Sequence, residues 1–301
     1  MKLFAERYQR TLAGPVDVTG VGIVTGAKVR VRFRPAPVGT GVVFVRGDRP
    51  GSPRIPARTA AVTDTRRRTT LGTDRDGVTL VEHVLAALAG LRVDNCTIEI
   101  DGPEPPGLDG SAWGFVQPLI AAGFVLQSGR RPIRSVAKPV KLERDGSCLA
   151  IYPATDSTLR VSYHLDYGAS SPIAPSVATV EIRPETFIRE LANCRTFLLE
   201  CEVEELKSQG IGRHLTPAEI LVFGPRGVKD NRLRYADEPA RHKILDLVGD
   251  LALCGFDLAG HVVAYRSGHA LNVELTKCLA SQEADATEPV VLPFPARRLA
   301  A

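Results

Sequence analysis

Val29, Val31 and Phe33 alternate with Arg30, Arg32 and Arg34, the period-two pattern of a strand with one buried face. Residues 41–45 and 96–100 predict two further strands. Between them Val81, Val84, Leu85 and Leu88 recur at helical spacing, predicting a helix over 81–89 that stops at Gly90. A second helix is expected over 112–122, ending at Gly123. The charged, proline-punctuated stretch 130–138 reads as a linker. Beyond it, strands are expected at 140–142, 159–165, 177–182 and 261–265, and helices at 184–192, 202–208, 239–254 and 269–280.

The order of these elements repeats. Helix 81–89, strand 96–100 and helix 112–122 mirror helix 239–254, strand 261–265 and helix 269–280. The pattern predicts an α+β fold of two similar domains, 1–129 and 130–301, each a layered sheet-and-helices unit. Strands grouped ahead of helices argue against a doubly wound parallel sheet. The repeat also places His83 and His242 at corresponding points early in equivalent helices, which a shared interface would bring together.

Composition narrows the class. The 301 residues, 44% hydrophobic and 24% charged, are globular in character and long enough for two domains. A net charge of +4 suits an anionic small molecule better than nucleic acid, and the one dense basic run, Arg66-Arg67-Arg68, is short enough to be a solvated loop. The six cysteines lie far apart without a CxxC pair, as expected of free thiols in a reducing compartment. No apolar run has a membrane span's length and the N-terminus lacks a signal-peptide core, so a cytoplasmic protein, expected as a monomer, follows.

The segment 237–251 carries the most chemistry. His242, Asp246 and Asp250 stand at i, i+4 and i+8 on one helical stripe, with Ile244, Leu247, Val248 and Leu251 opposite as the core stripe. A neutral imidazole and a carboxylate one turn apart can hold a divalent metal such as zinc; the same stripe can also be a solvated face. The repeat favours the metal, because His83, His242 and Asp246 would make a two-His, one-carboxylate set. Glu82 has two readings: with Thr79 it matches a capping box, and beside His83 it is placed to take a proton from metal-bound water. His269, at a strand-to-helix turn, is either an ordinary first-turn residue or a general acid oriented by Asp250. Thr196 is either an inert loop residue or an oxyanion donor.

Several segments together resemble one family. They are Val81-Glu82-His83-Val84-Leu85-Ala86-Ala87-Leu88-Ala89-Gly90, Leu108-Asp109-Gly110-Ser111-Ala112, Arg195-Thr196-Phe197, Arg241-His242-Lys243 with Asp246 and Gly249-Asp250-Leu251, and Ser267-Gly268-His269-Ala270-Leu271-Asn272. In combination and order they are similar to the UDP-3-O-acyl-N-acetylglucosamine deacetylases, the zinc amidases of lipid A biosynthesis. The resemblance implies zinc (Zn2+) on His83, His242 and Asp246, and Glu82 as general base. It implies His269 as general acid or electrostatic partner backed by Asp250, and Thr196 as oxyanion donor. Phe197, Lys243 and Arg266 would contact an acylated UDP-amino-sugar substrate. Arg266 stands where the family usually has lysine, and 210–217 departs from the Gly-Gly-Ser-containing segment of the family's acyl-chain passage. Two other readings remain open at this point: an amidase for a smaller substrate, and a non-catalytic nucleotide-sugar binder.

Overall fold

The computed structural model describes residues 1–217, 219–282 and 290–291. Two five-stranded sheets dominate it. The first runs Val16–Val21, Lys28–Pro35, Cys96–Ile100, Val42–Arg46, Arg54–Pro56; the second runs Val140–Arg144, Ser147–Tyr152, Gly260–Tyr265, Leu159–Leu165, Ser176–Glu181. In each, the third strand pairs antiparallel with the second and parallel with the fourth, and both remaining pairs are antiparallel. The two sheets therefore share one topology, and the repeat read from helix and strand order extends to strand pairing.

Among the described residues six α-helices accompany the sheets: α1 (Glu82–Gly90), α2 (Trp113–Ala122), α3 (Pro184–Glu190), α4 (Glu200–Ser208), α5 (Glu238–Leu251) and α6 (His269–Ser281). α1 and α5 occupy equivalent places in the repeat and pack on each other at the centre of the molecule. Val84, Leu85 and Leu88 of α1 and Ile244, Leu245, Leu247 and Val248 of α5 are buried in one core shared by both halves. Each such side chain contributes about 1.5–3 kcal/mol of hydrophobic stabilisation. Close approach needs a glycine: a Cβ on Gly249 would lie 2.1 Å from the Glu82 carbonyl oxygen.

Two expectations are corrected. The stretch 130–138 is not a linker, because most of it belongs to the strand Phe124–Ser135, which pairs antiparallel with Lys2–Leu12. Its charges are held rather than solvated. Arg131 pairs with Asp94 and Asp257, while the Arg130 and Arg134 guanidiniums lie over the Tyr8 and Phe256 rings. Distant partners of this kind leave no trace in local sequence. The capping box is also absent. Glu82 is the first residue of α1 instead of the third, so its carboxylate cannot reach back, and the cap at Val81 makes no side-chain bond. Among the described residues no helix is long and apolar enough to cross a membrane, and the six cysteines are free thiols.

Candidate active site

The polar stripe of α5 is not a solvated face. His242 is 1%, Asp246 4% and Asp250 0% exposed, so the helix is buried on both sides. Its polar side faces the N-terminal end of α1. The His83 Nε2 lies 3.5 Å and the His242 Nε2 3.3 Å from Asp246 Oδ1, and the two imidazole rings stand edge to face at 5.1 Å. One ligand atom from each of these three residues lies within 4.8 Å of the others.

The donors are in the right chemical state for a cation. The His242 Nδ1–H donates to the Cys194 carbonyl at 3.0 Å, leaving the Nε2 lone pair directed at the cluster. Burial pulls the His242 imidazole down to about 4, so it is neutral at pH 7. Burial pushes the Asp246 carboxyl up, but neighbouring His242 and Lys243 and a bond from His83 outweigh it and hold that carboxyl well below its ordinary range. Two imidazole nitrogens and one carboxylate oxygen fit a divalent metal of borderline softness.

Cys194 is itself positioned by a buried ion pair. Glu238, at the start of α5 and 0% exposed, accepts from the Arg195 backbone N–H at 3.0 Å and from its guanidinium Nε at 2.9 Å. That pair ties the 194–197 segment to the helix carrying His242. Thr196 follows at the cleft wall, its backbone bonded to Gly110 and Leu221. Phe197 packs edge to face against His242 at 6.2 Å, and the Lys243 ammonium sits 5.6 Å from the Phe197 ring centre. Lys243 also donates to Asp246 Oδ2 at 3.0 Å, and the Asp246 charge keeps it cationic against the opposing effect of burial.

A second network holds Glu82 and His269. The His269 Nδ1–H donates to Asp250 Oδ2 at 2.9 Å, and its Nε2 lies 3.9 Å from Glu82 Oε1. Burial alone would lower His269, but the charges of Asp250 and Glu82 raise it to about 9. Burial raises the Glu82 carboxyl above its ordinary value, opposed by His269 and His83. Asp250 receives two further bonds, from the Thr69 hydroxyl at 2.6 Å and from Asn272 Nδ2 at 2.9 Å. Thr69 does double duty, since its backbone N–H donates to Glu82 Oε2 at 3.0 Å. Sequence reasoning missed Thr69. Its fully buried hydroxyl sits beside the arginine run, and nothing in the local pattern marks it.

These groups form the floor of a cleft of about 760 Å³. An apolar patch on one wall, from the end of α4 and the segment after it, comprises Leu206, Ile211, Leu215 and Ile220, beside the charged Glu202, Glu204 and Lys207 of α4. The rim is charged, with Arg67, Arg68, Arg144 and Lys229 among its cations. Arg66 is 90% exposed at its side chain and pairs with Asp64; Arg67 pairs with Glu202 and Arg68 donates to Thr79. Arg266 lies away from the lining: it is exposed, pairs with Asp166 at 2.7 Å and stacks on Tyr265. The structure thus gathers nine of the ten residues singled out in the sequence into one cleft or its immediate support, with Arg266 outside.

The comparisons with known proteins agree with this arrangement. The family model described as UDP-3-O-acyl N-acetylglycosamine deacetylase matches residues 9–281. The chain is 41% identical over 278 residues to the UDP-3-O-acyl-N-acetylglucosamine deacetylase of Nostoc sp. (strain PCC 7120 / SAG 25.82 / UTEX 2576), covering 89% of this chain and 97% of that one. It is 39% identical over 271 residues to the enzyme of the same name from Chlamydia felis, covering 90% and 96%. With its fold, its cleft and these likenesses in agreement, the chain belongs to the UDP-3-O-acyl N-acetylglycosamine deacetylase family.

Proposed function

We propose that the cleft hydrolyses the N-acetyl group of a UDP-3-O-acyl-N-acetylglucosamine, releasing acetate and the free-amine sugar nucleotide in lipid A biosynthesis. The observation that carries the reading is the convergence of His83, His242 and Asp246 beneath a cleft that also holds Glu82 and His269. Those three residues would hold zinc, which when bound supplies a Lewis acid and lowers the pKa of water at neutral pH.

The protein's own groups then divide the remaining work. Glu82, held by the Thr69 N–H, accepts the proton of the attacking water. His269 is protonated at neutral pH and supplies a positive charge, or its proton, to the departing sugar nitrogen. Asp250 fixes the ring so that Nε2 faces the cleft. Thr196, in the cleft lining, donates its hydroxyl to the oxyanion formed as the amide carbonyl is attacked. Lys243 and Phe197 contact the substrate over the reacting centre, and the apolar patch of Leu206, Ile211, Leu215 and Ile220 takes the acyl chain. Arg266, on the outer surface, would reach the nucleotide only by leaving Asp166. The free thiols are consistent with a cytoplasmic setting.

The test measures bound metal and acetate release for wild type, Glu82→Ala and His242→Ala. His242→Ala is expected to lose metal and activity together, and Glu82→Ala to keep metal and lose activity. Full turnover by metal-free protein, or by Glu82→Ala, would sink the mechanism. Equal turnover of N-acetylglucosamine derivatives lacking the acyl chain would redirect the substrate assignment.

A further inference from the structure

A second cavity lies between the halves, at the opposite ends of α1 and α5 from the metal cluster. It has a volume of about 110 Å³ and is lined by Arg7, Arg58, Arg92 and Arg131 with only two carboxylates, Asp94 and Asp257. Both carboxylates are taken. Arg7 pairs with Asp94 at 2.7 Å and with Asp257 at 2.6 Å, and Arg131 pairs with Asp94 at 3.4 Å and with Asp257 at 3.0 Å. That set of two arginines and two aspartates is neutral.

Arg58 and Arg92 remain. Both are half-buried, and among the described residues neither guanidinium has a hydrogen bond or an ion pair. Arg58 is seated closely: a Cβ on Gly255 would lie 2.1 Å from its Nη1, and one on Gly41 would lie 3.2 Å from its Nη2. The guanidinium thus bridges the two halves, and the next residue anchors it, Thr59 donating to the Leu253 carbonyl at 3.0 Å. Burial lowers the pKa of both arginines; Arg131 also repels Arg58, while at Arg92 the Asp257 charge opposes burial and Arg7 adds repulsion. The C-terminal ends of α1 and α5 border the cavity, and at about half a negative charge each they offset roughly one of the two cations. The balance is still positive, and positive charge removed from water calls for an anionic partner.

We propose that this cavity binds a small tetrahedral oxyanion, with Arg58 and Arg92 as its cationic contacts. Size sets the class. A volume near 110 Å³ admits a phosphate-sized ion or a few waters, at about 30 Å³ of liquid per water, and excludes a nucleotide. The guanidinium fork matches phosphate oxygens in a way an ammonium does not. The site is separate from the cleft, and an ion in it would tie the two sheet-and-helix halves together.

Inorganic phosphate is the probe, added to the full-length chain at constant ionic strength and at low millimolar concentration, where general salting effects on stability are small. The thermal midpoint of the wild type is expected to rise by about 2 °C for each tenfold of phosphate above its Kd. Lys243→Ala, which alters only the cleft, should respond equally. Arg58→Gln/Arg92→Gln should lose the response while its deacetylase activity in chloride stays within twofold of wild type. Ser157→Asp, which puts a carboxylate in the cavity wall, should raise the midpoint in chloride and abolish the phosphate response, an outcome readable even if the double variant folds poorly. A wild type indifferent to phosphate overturns the proposal. So does a response lost in Lys243→Ala, which would place the ion in the cleft, or one retained in Ser157→Asp. Uridine monophosphate producing the same shift through Arg58 and Arg92 would also overturn the size argument.

Discussion

The backbones of Glu82 and Gly249 meet so closely that a single methyl group on the glycine would sit 2.1 Å from the glutamate carbonyl oxygen. Glu82 opens α1, and Gly249 lies in α5 between the two aspartates of the polar stripe. The contact therefore sets the distance between the two halves of the site. Gly249→Ala is expected to destabilise the fold by about 1–3 kcal/mol through overpacking and to lower kcat as α1 is pushed away. Urea unfolding and steady-state kinetics check it, and a variant with wild-type values in both would show that the helices can part at no cost.

Thr69 joins both networks, donating from its N–H to Glu82 and from its hydroxyl to Asp250. Thr69→Val removes only the second bond. A hydrogen bond to a charged group is worth about 1.5–3 kcal/mol, so kcat should fall roughly 10- to 100-fold with KM and bound metal unchanged. Thr69→Ser should restore most of the rate. A serine variant as slow as valine would mean that packing, and not the hydroxyl, matters here.

The pH profile should report His269. With its pKa raised to about 9, activity that needs the imidazolium is expected to persist through neutral pH and fall as pH rises through that value. Asp250→Asn removes the main raising charge, so the alkaline limb should move to lower pH. The same shift bears on stability. Because the folded value exceeds the ordinary 6.5, protonated His269 stabilises the fold fully below 6.5, and that contribution is lost on raising pH through about 9. An alkaline limb unmoved in Asp250→Asn would assign it to another group.

Glu238 is wholly buried against Arg195. Glu238→Ala leaves that guanidinium without its carboxylate, and breaking a buried pair in this way costs about 3–5 kcal/mol. Through Cys194 the loss should also free the His242 ring, so metal affinity is expected to drop together with the unfolding midpoint. Metal titration of the folded variant separates the two effects.

Much of the site is legible in the sequence because its residues ride on helices, where spacing fixes direction. His242, Asp246 and Asp250 follow from the i, i+4, i+8 rule, and the repeat pairs His83 with His242 before any coordinates. The strands 96–100 and 159–165 read off to the residue from their alternation. What escapes is held by distant partners. The strand Phe124–Ser135 looks like a linker because the acids that neutralise Arg131 lie far off in sequence, Asp94 in the loop after α1 and Asp257 more than a hundred residues on. Thr69 precedes a two-residue strand with no periodicity to mark it. Arg266 shows the opposite failure: the residues after it, Ser267 to His269, line the cleft, but a left-handed backbone, with φ of 51°, turns at that residue, and Asp166 holds its side chain outside.

The two sheets share a topology, yet the helices they present are no longer interchangeable. α1 brings one imidazole and the carboxylate proposed as base; α5 brings the other imidazole, the carboxylate proposed as metal ligand and the aspartate behind His269. Neither copy carries a full set, so a half separated from its partner would inherit a scaffold and forfeit a reaction. Such a division is a commitment: where two similar halves split the work, any demand on turnover becomes a demand on their remaining joined.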